Sequence, residues 1–471
     1  MHRLWSASLG RYPWPGSPAL LLPPKPETDR ASRLAADIYS LNELRRLPSE
    51  ITTMIWTLLG QHDLLRFSTV LELVVFLSHT EFDDSISIPL HQVEVWRRGS
   101  VPVTRKDKSN SLIELTIDSR GIVYIERLKS SAHKRRSDFI VYTTIKPSQN
   151  LTIEFQFGIG RLAPIVGPGR LQITDTPNLA NVTCFRFPSQ APDIRLATID
   201  LNSCSGITFF MTKSYTHAIH AHTQATPFAE LTFARLTPSI HPFVRWLYVP
   251  NPPADKISAF GVRLKINSKN QPLQYDYSYL IRTPHRGDFT VGPHHDGAVK
   301  DYVVYTSNQS ALLYSIPENK PLSILGVTPK GQVCSELSPS PPAGASPLPD
   351  AFYASASLKN VACIWVFRDT QADFCRGLII EYLDGSQQAL GCCRLGFDPV
   401  ERCPDLTQFT FSSSEYSQKN GSRRAAVKVR ILPVSVDSNW LDAGWTSCSE
   451  AHTLQVWVTA TEMAMNVIRT I

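Results

Sequence analysis

Three histidines, His217, His220 and His222, fall within six positions of one another in the stretch YTHAIHAHT at residues 215–223. Imidazole nitrogens at such spacing are the raw material of a metal site. In an extended strand side chains alternate, so His220 and His222 share a face with Ala218 while His217 lies on the Ile219 face. A catalytic zinc usually takes three protein ligands and an acid or base beside its bound water. The next acid here is Glu230, on the far side of Pro227. The third ligand is missing at a workable spacing, and no metal or other cofactor is expected. GPHHDG at 292–297 offers His294, His295 and Asp296, but its glycine and proline flanks mark a turn first. Cys392 and Cys393 are adjacent, so in a strand their thiols face opposite ways, as buried small residues do. HKRRS at 133–137 is a basic run without interleaved aromatics and reads as a solvated loop. The sequence carries no G-x-S-x-G, phosphate loop or G-x-G-x-x-G, so nothing in it argues for catalysis and no enzyme is expected.

The chain that must position these groups has 471 residues, 42% of them apolar, enough for two or three domains with cores of their own. Its 47 basic and 41 acidic residues leave a net charge of +6, too dilute to imply nucleic acid as a partner. The longest apolar runs, at 20–22 and 73–77, fall far below the ~18 residues that span a bilayer, so no membrane partner is expected. Nine cysteines, an odd number with no CxxC, fit a reducing compartment, cytoplasmic or nuclear. Residues 1–42, broken by Pro13, Pro15, Pro18 and Pro23, read as a disordered tail.

Two textures follow. Over 43–82 the apolar residues have a helical period: Leu47, Ile51, Ile55 and Leu58 recur at steps of three and four, with Pro48 and Glu50 suited to a first turn. Asp63 then caps a second helix carrying Leu64, Leu65, Phe67, Val70 and Leu71. After Thr80 come short segments rich in Val, Ile, Phe, Tyr and Thr, as in LIELTIDS and LTIEFQF, which read as strands. In KISAFGVRLKI, Phe260, Val262, Leu264 and Ile266 alternate with Ala259, Gly261, Arg263 and Lys265, the pattern of an antiparallel sheet with one wet face. The expected fold class is α+β: a short helical module at 43–82, then a large, mainly antiparallel β region. The expected divisions of that region are a domain at 83–334, a Pro/Ser-rich linker or loop at 335–350, and a second β block at 351–471 with a turn at Asp384 and Gly385. Both blocks run strand, polar interruption, strand and a glycine-containing end, which hints at a duplication.

LPSEITTMIWTLLGQHDLLRFSTV, at 47–70, resembles the F-box, whose pattern opens with Leu-Pro-x-Glu and reaches Asp-Leu-Leu before a Val. By position, Leu47 and Pro48 match the opening dipeptide, Ile51, Ile55 and Leu58 the first-helix apolar positions, and Leu64, Leu65 and Val70 those of the second. After that Val the chain departs from the family, with LELVVFL where a basic residue and an aromatic often stand. The resemblance implies docking on a Skp-type adaptor and, through it, a cullin scaffold of a ubiquitin ligase, with the rest of the chain as receptor for an unidentified protein substrate. SGITFFMTKSYTHAIHAHT, RWLYVPNPPADKISAFGVR, LIRTPHRGDFTVGP and FCRGLIIEYLDGSQQALGCCRLG resemble a β-rich region that follows the F-box in filamentous-fungal proteins; no activity comes with it. The alternative is a carbohydrate-binding β module, motivated by Trp246, Trp365, Trp440, Trp445 and Trp457. It requires several of those rings exposed along one groove.

Overall fold

The computed structural model describes residues 43, 46–48, 51 and 54 and, apart from a series of short stretches, 86–469; the longest stretches outside the description are 128–139, 163–172 and 433–443. Strands make up 61% of the described residues and helical turns 7%. The fold is therefore mainly β, and the α+β expectation is overturned. Glu43 and Arg46 lie in 3-10 turns and Ile51 and Met54 in helix. The α-helix described from end to end, Glu230–Ala234, has five residues and no side-chain cap. The physical reason lies in the composition after residue 86, where β-branched and aromatic residues at period two leave no helical face to bury. Residues 1–42 and 55–85, and with them Ile55, Leu58, Leu64, Leu65 and Val70, lie outside the described residues. Among the described residues no helix is long and apolar enough to cross a membrane.

Chain contacts divide the protein into two compact units, residues 1–180 with 194–197, and 181–193 with 198–471. In the first, Ile173–Thr174, Val141–Ile145, Ile113–Asp118, Gly121–Arg127, Val93–Arg97 and Val103–Thr104 follow one another across a sheet, and Ile86–Pro89, Thr152–Gln156 and Ile159–Leu162 form a smaller one. The alternation in IELTID drives Ile113, Leu115 and Ile117 into a core with Trp96, Ile125, Ile153 and Phe155. Trp96 stacks at a tilt on Phe155, centroids 5.0 Å apart, and its indole N–H donates to the Ser100 carbonyl at 2.9 Å. Each fully buried Ile or Leu stabilises this core by about 1.5–3 kcal/mol.

The second unit contains the repeat hinted at in the sequence. Ala259–Ile266 pairs with Pro272–Thr283, which pairs with Gly287–Val291, and Val299–Tyr305 returns to lie beside the first strand. Val361–Arg368, Cys375–Tyr382, Gln387–Gly391 and Val400–Pro404 repeat that order, all antiparallel. Both are four-stranded Greek keys. Their second hairpins turn at Gly287 (φ +71°) and Gly385 (φ +78°), a left-handed conformation that costs a residue with a Cβ about 1–2 kcal/mol. Asp384 and Gly385 form the turn expected of them. The strand before each sheet packs on the third strand of the other: Arg245–Pro250 on Gln387–Gly391, and Phe352–Ser357 on Gly287–Val291. This exchange of corresponding strands is the arrangement of a pseudo-twofold pair.

Two principal cores result, one around Phe209, Phe260, Val262, Leu264 and Tyr279, the other around Ile364, Leu378, Ile380, Phe409 and Val456. Phe260, Val262 and Leu264 point inward as the alternation predicts, and Arg263 on the other face pairs with Asp301 at 2.7 Å. That other face is not wet throughout, since Ala259 packs under Leu280 and Leu337. In the proline-rich stretch Leu337 and Leu348 are buried and the Ser338 N–H donates to Asp288 at 2.7 Å, so its described residues lie against the sheet.

Candidate functional site

The histidine strand Thr216–His222 pairs antiparallel with Gly206–Met211, with Gly206 opposite His222 and Thr208 opposite His220. His220 and His222 share a face, as alternation requires, and their rings lie 4.8 Å apart, edge to face. Their nitrogens are committed. For His222, Nδ1 lies 2.8 Å from the Pro227 carbonyl and Nε2 2.7 Å from the Thr208 hydroxyl. A carbonyl only accepts, so Nδ1 carries the proton and Nε2 accepts from Thr208. For His220 the same logic is reversed: Nε2 donates to the Thr226 carbonyl at 3.1 Å and Nδ1 accepts from the Thr232 hydroxyl at 2.8 Å. Each ring thus spends its acceptor nitrogen on a threonine and its proton on the 223–227 loop. Burial pushes all three histidines below their ordinary pKa, His222 to about 4. The pair pins a loop and the short helix Glu230–Ala234 to the sheet. His217 stands apart, its Nε2 3.0 Å from the Thr212 hydroxyl.

The other sequence candidates fall into structural places. Gly292 (φ +130°) and Gly297 (φ +116°) stand at positive φ at the two ends of GPHHDG, Pro293 bridges to Phe352, and Asp296 lies outside the described residues. Cys392 and Cys393 are buried on opposite sides of their strand end, one in the Phe209 core and one against Tyr248, Phe367 and Ile379. Burial raises both thiols. Residues 133–137 lie outside the description. Trp246 and Trp457 are 2% exposed, Trp365 and Trp445 are half-buried, and Trp440 is not described. None of the four described rings lines the cleft below, so among the described residues no tryptophan stacking platform for a sugar is formed there.

That cleft, of about 350 Å³, opens between the two repeats of the second unit. Its walls are the third strands Gly287–Val291 and Gln387–Gly391, the strand Phe352–Ser357, and the end of Arg245–Pro250. All four are sheet edges. Phe289, Val291, Leu247 and Phe352 contribute apolar lining, and Ser355, Ser357, Gln387 and Gln388 polar lining. At the hairpin tips Arg286 lies over the Tyr382 ring, 3.8 Å from its centroid, and donates through Nη2 to Asp384 at 2.8 Å. Its Nε–H is buried without a hydrogen-bond partner. Asp288 is held below the usual carboxylate range by hydrogen bonds from Arg282, at 2.5 and 2.8 Å. The charged groups of the wall are therefore paired, and the cleft is close to neutral.

Sequence reasoning missed this site. Its one signal was the repeated hairpin, whose tips meet only in the folded unit. Of the positions matched to the F-box, Leu47 is 36% and Ile51 41% exposed, Met54 one turn on is 58% exposed, and Pro48 is exposed as well. Compared with known proteins, the chain matches no family model and no curated protein sequence.

Proposed function

We propose that the chain is a non-catalytic substrate receptor of the F-box type, which docks on a Skp-type adaptor, and through it on a cullin scaffold, by way of residues 47–70 and holds a protein substrate with its β-rich part. The observation that carries the reading is the exposure of Ile51 and Met54, three positions apart and so on one face of a helix, together with that of Leu47 in the bend before it. Three such side chains left in water are an interface in waiting, since each Leu or Ile covered by a partner contributes roughly 1.5–3 kcal/mol. The Leu-Pro-x-Glu opening supports the same reading. Co-purification with a Skp-type adaptor tests it. The full chain should retain the adaptor, and Ile51→Asp should lose it, because an unpaired charge in an apolar interface costs several kcal/mol. Ile51 is exposed in the free chain, so the β-rich part should melt unchanged. Equal adaptor binding by parent and variant, or none by the parent, refutes the assignment.

A further inference from the structure

The two walls of the cleft present main chain as well as side chains. In Phe352–Ser357, the Leu358 N–H donates to His452 of the paired strand, so even-numbered residues face that strand and Tyr353, Ser355 and Ser357 face away from it. The far side bears this out: Gln388 Nε2 reaches the Ser355 carbonyl at 2.6 Å and the Tyr382 hydroxyl reaches the Ser357 carbonyl at 2.9 Å. In Gln387–Gly391, the Tyr382 N–H donates to Ser386 and the Cys392 N–H to Arg376, so Gln387, Ala389 and Gly391 turn their peptide groups outward. Those three line the cleft, and Leu390 between the last two does not.

We propose that this cleft binds a short, extended peptide segment with uncharged side chains, whose main chain pairs with the outward edge of Gln387–Gly391 and one of whose carbonyls accepts from Arg286 Nε. Two observations converge on that ligand. An open strand edge offers N–H and C=O groups in alternation, which only another extended backbone matches in register. The buried Arg286 N–H calls for an acceptor oxygen, and Asp384 already balances its charge, so a neutral carbonyl serves. The volume, near the lower end of the ~300–1,000 Å³ of ligand sites, holds a few residues of a chain rather than a folded surface.

The inference rests on the reading of the β-rich part as the substrate-binding part, and its test uses no adaptor, so failure of one is distinguishable from failure of the other. The immobilised full chain is offered a pool of randomised, N-acetylated and C-amidated hexapeptides, and retained peptides are sequenced. Uncharged residues should be enriched over Asp, Glu, Lys and Arg at the central positions. The best-retained peptide is then resynthesised with single N-methyl groups. Methylation at alternate residues should weaken binding about tenfold or more, and at the residues between them less than about twofold, because only every second N–H faces the protein strand. A benzophenone on the same peptide should label the tryptic fragments that contain 352–357 or 387–391. Retention of no peptide, equal effects of all N-methyl positions, labelling elsewhere, or displacement of the peptide by a neutral oligosaccharide would overturn the proposal. No step requires an altered protein, so misfolding cannot imitate either result.

Discussion

Acidification should selectively loosen the sheet that carries the histidines, and His222 should account for most of the effect. His222 is 2% exposed, and burial is the main cause that lowers its pKa from 6.5 to about 4; the Pro227 carbonyl opposes this and His220, 4.8 Å away, adds to it. The folded value lies below the unfolded one, so the fold holds the neutral ring. The contribution is complete above the unfolded pKa and is lost as pH falls from 6.5 towards 4. A shift of that size corresponds to roughly 3 kcal/mol in full, and to roughly 2 kcal/mol of it lost by about pH 5. The lesion has a visible cause: a protonated Nε2 no longer accepts from Thr208, a hydroxyl fully buried in the neighbouring strand. Urea unfolding of the parent and of His222→Gln, at about pH 7.5 and about pH 5, isolates the term, because every other titrating group is common to both proteins. The variant should be less stable at the higher pH, yet lose roughly 2 kcal/mol less than the parent on acidification. An equal loss in both proteins, or an imidazole resonance of His222 that titrates near 6.5, would refute the reasoning.

Asn251, fully buried, donates to the carbonyls of Leu201 at 2.6 Å and Cys204 at 3.0 Å and accepts from the Ile257 N–H at 2.8 Å. Asn251→Ala leaves buried backbone groups unpaired and should cost roughly 2–4 kcal/mol in denaturant unfolding, whereas a change below about 1 kcal/mol would show that water replaces the amide. Burial pushes the Cys375 thiol up to about 12 and Cys393 up as well, while Cys184 is exposed. A thiol reagent at neutral pH should therefore modify Cys184 readily in the native chain and spare Cys375 and Cys393 until urea is added, as read by mass spectrometry of the digest. Filling Gly206 should disrupt the same histidine sheet from the other side, since a Cβ there would stand 2.4 Å from the Tyr248 ring; Gly206→Ala should lower the melting temperature by several degrees, and an unchanged melt would contradict the packing.

Where strand parity or a tight turn was the signal, the sequence alone determined the outcome. The strand Ala259–Ile266 was legible because each side chain's face follows from its neighbours' parity, and the turn at Asp384 and Gly385 because only glycine enters φ +78° without cost. The opposed burial of Cys392 and Cys393 followed from the same alternation. The helical period at 47–58 is also local, but it covers a few dozen residues against several hundred of strand texture, so it does not set the fold class. Tertiary structure decided the rest. Whether His220 and His222 bind an ion or a loop depends on hydroxyls of Thr208 and Thr232, set by a strand register and a helix that the HxH spacing does not encode. The cleft depends on Arg286 meeting Asp384, 98 positions further along the chain. The repeated hairpin announced two equivalent tips, but their meeting across a pseudo-twofold, with open strand edges left between them, is a property of packed sheets, since pairing and burial over such separations are chosen by the whole core and by no single segment.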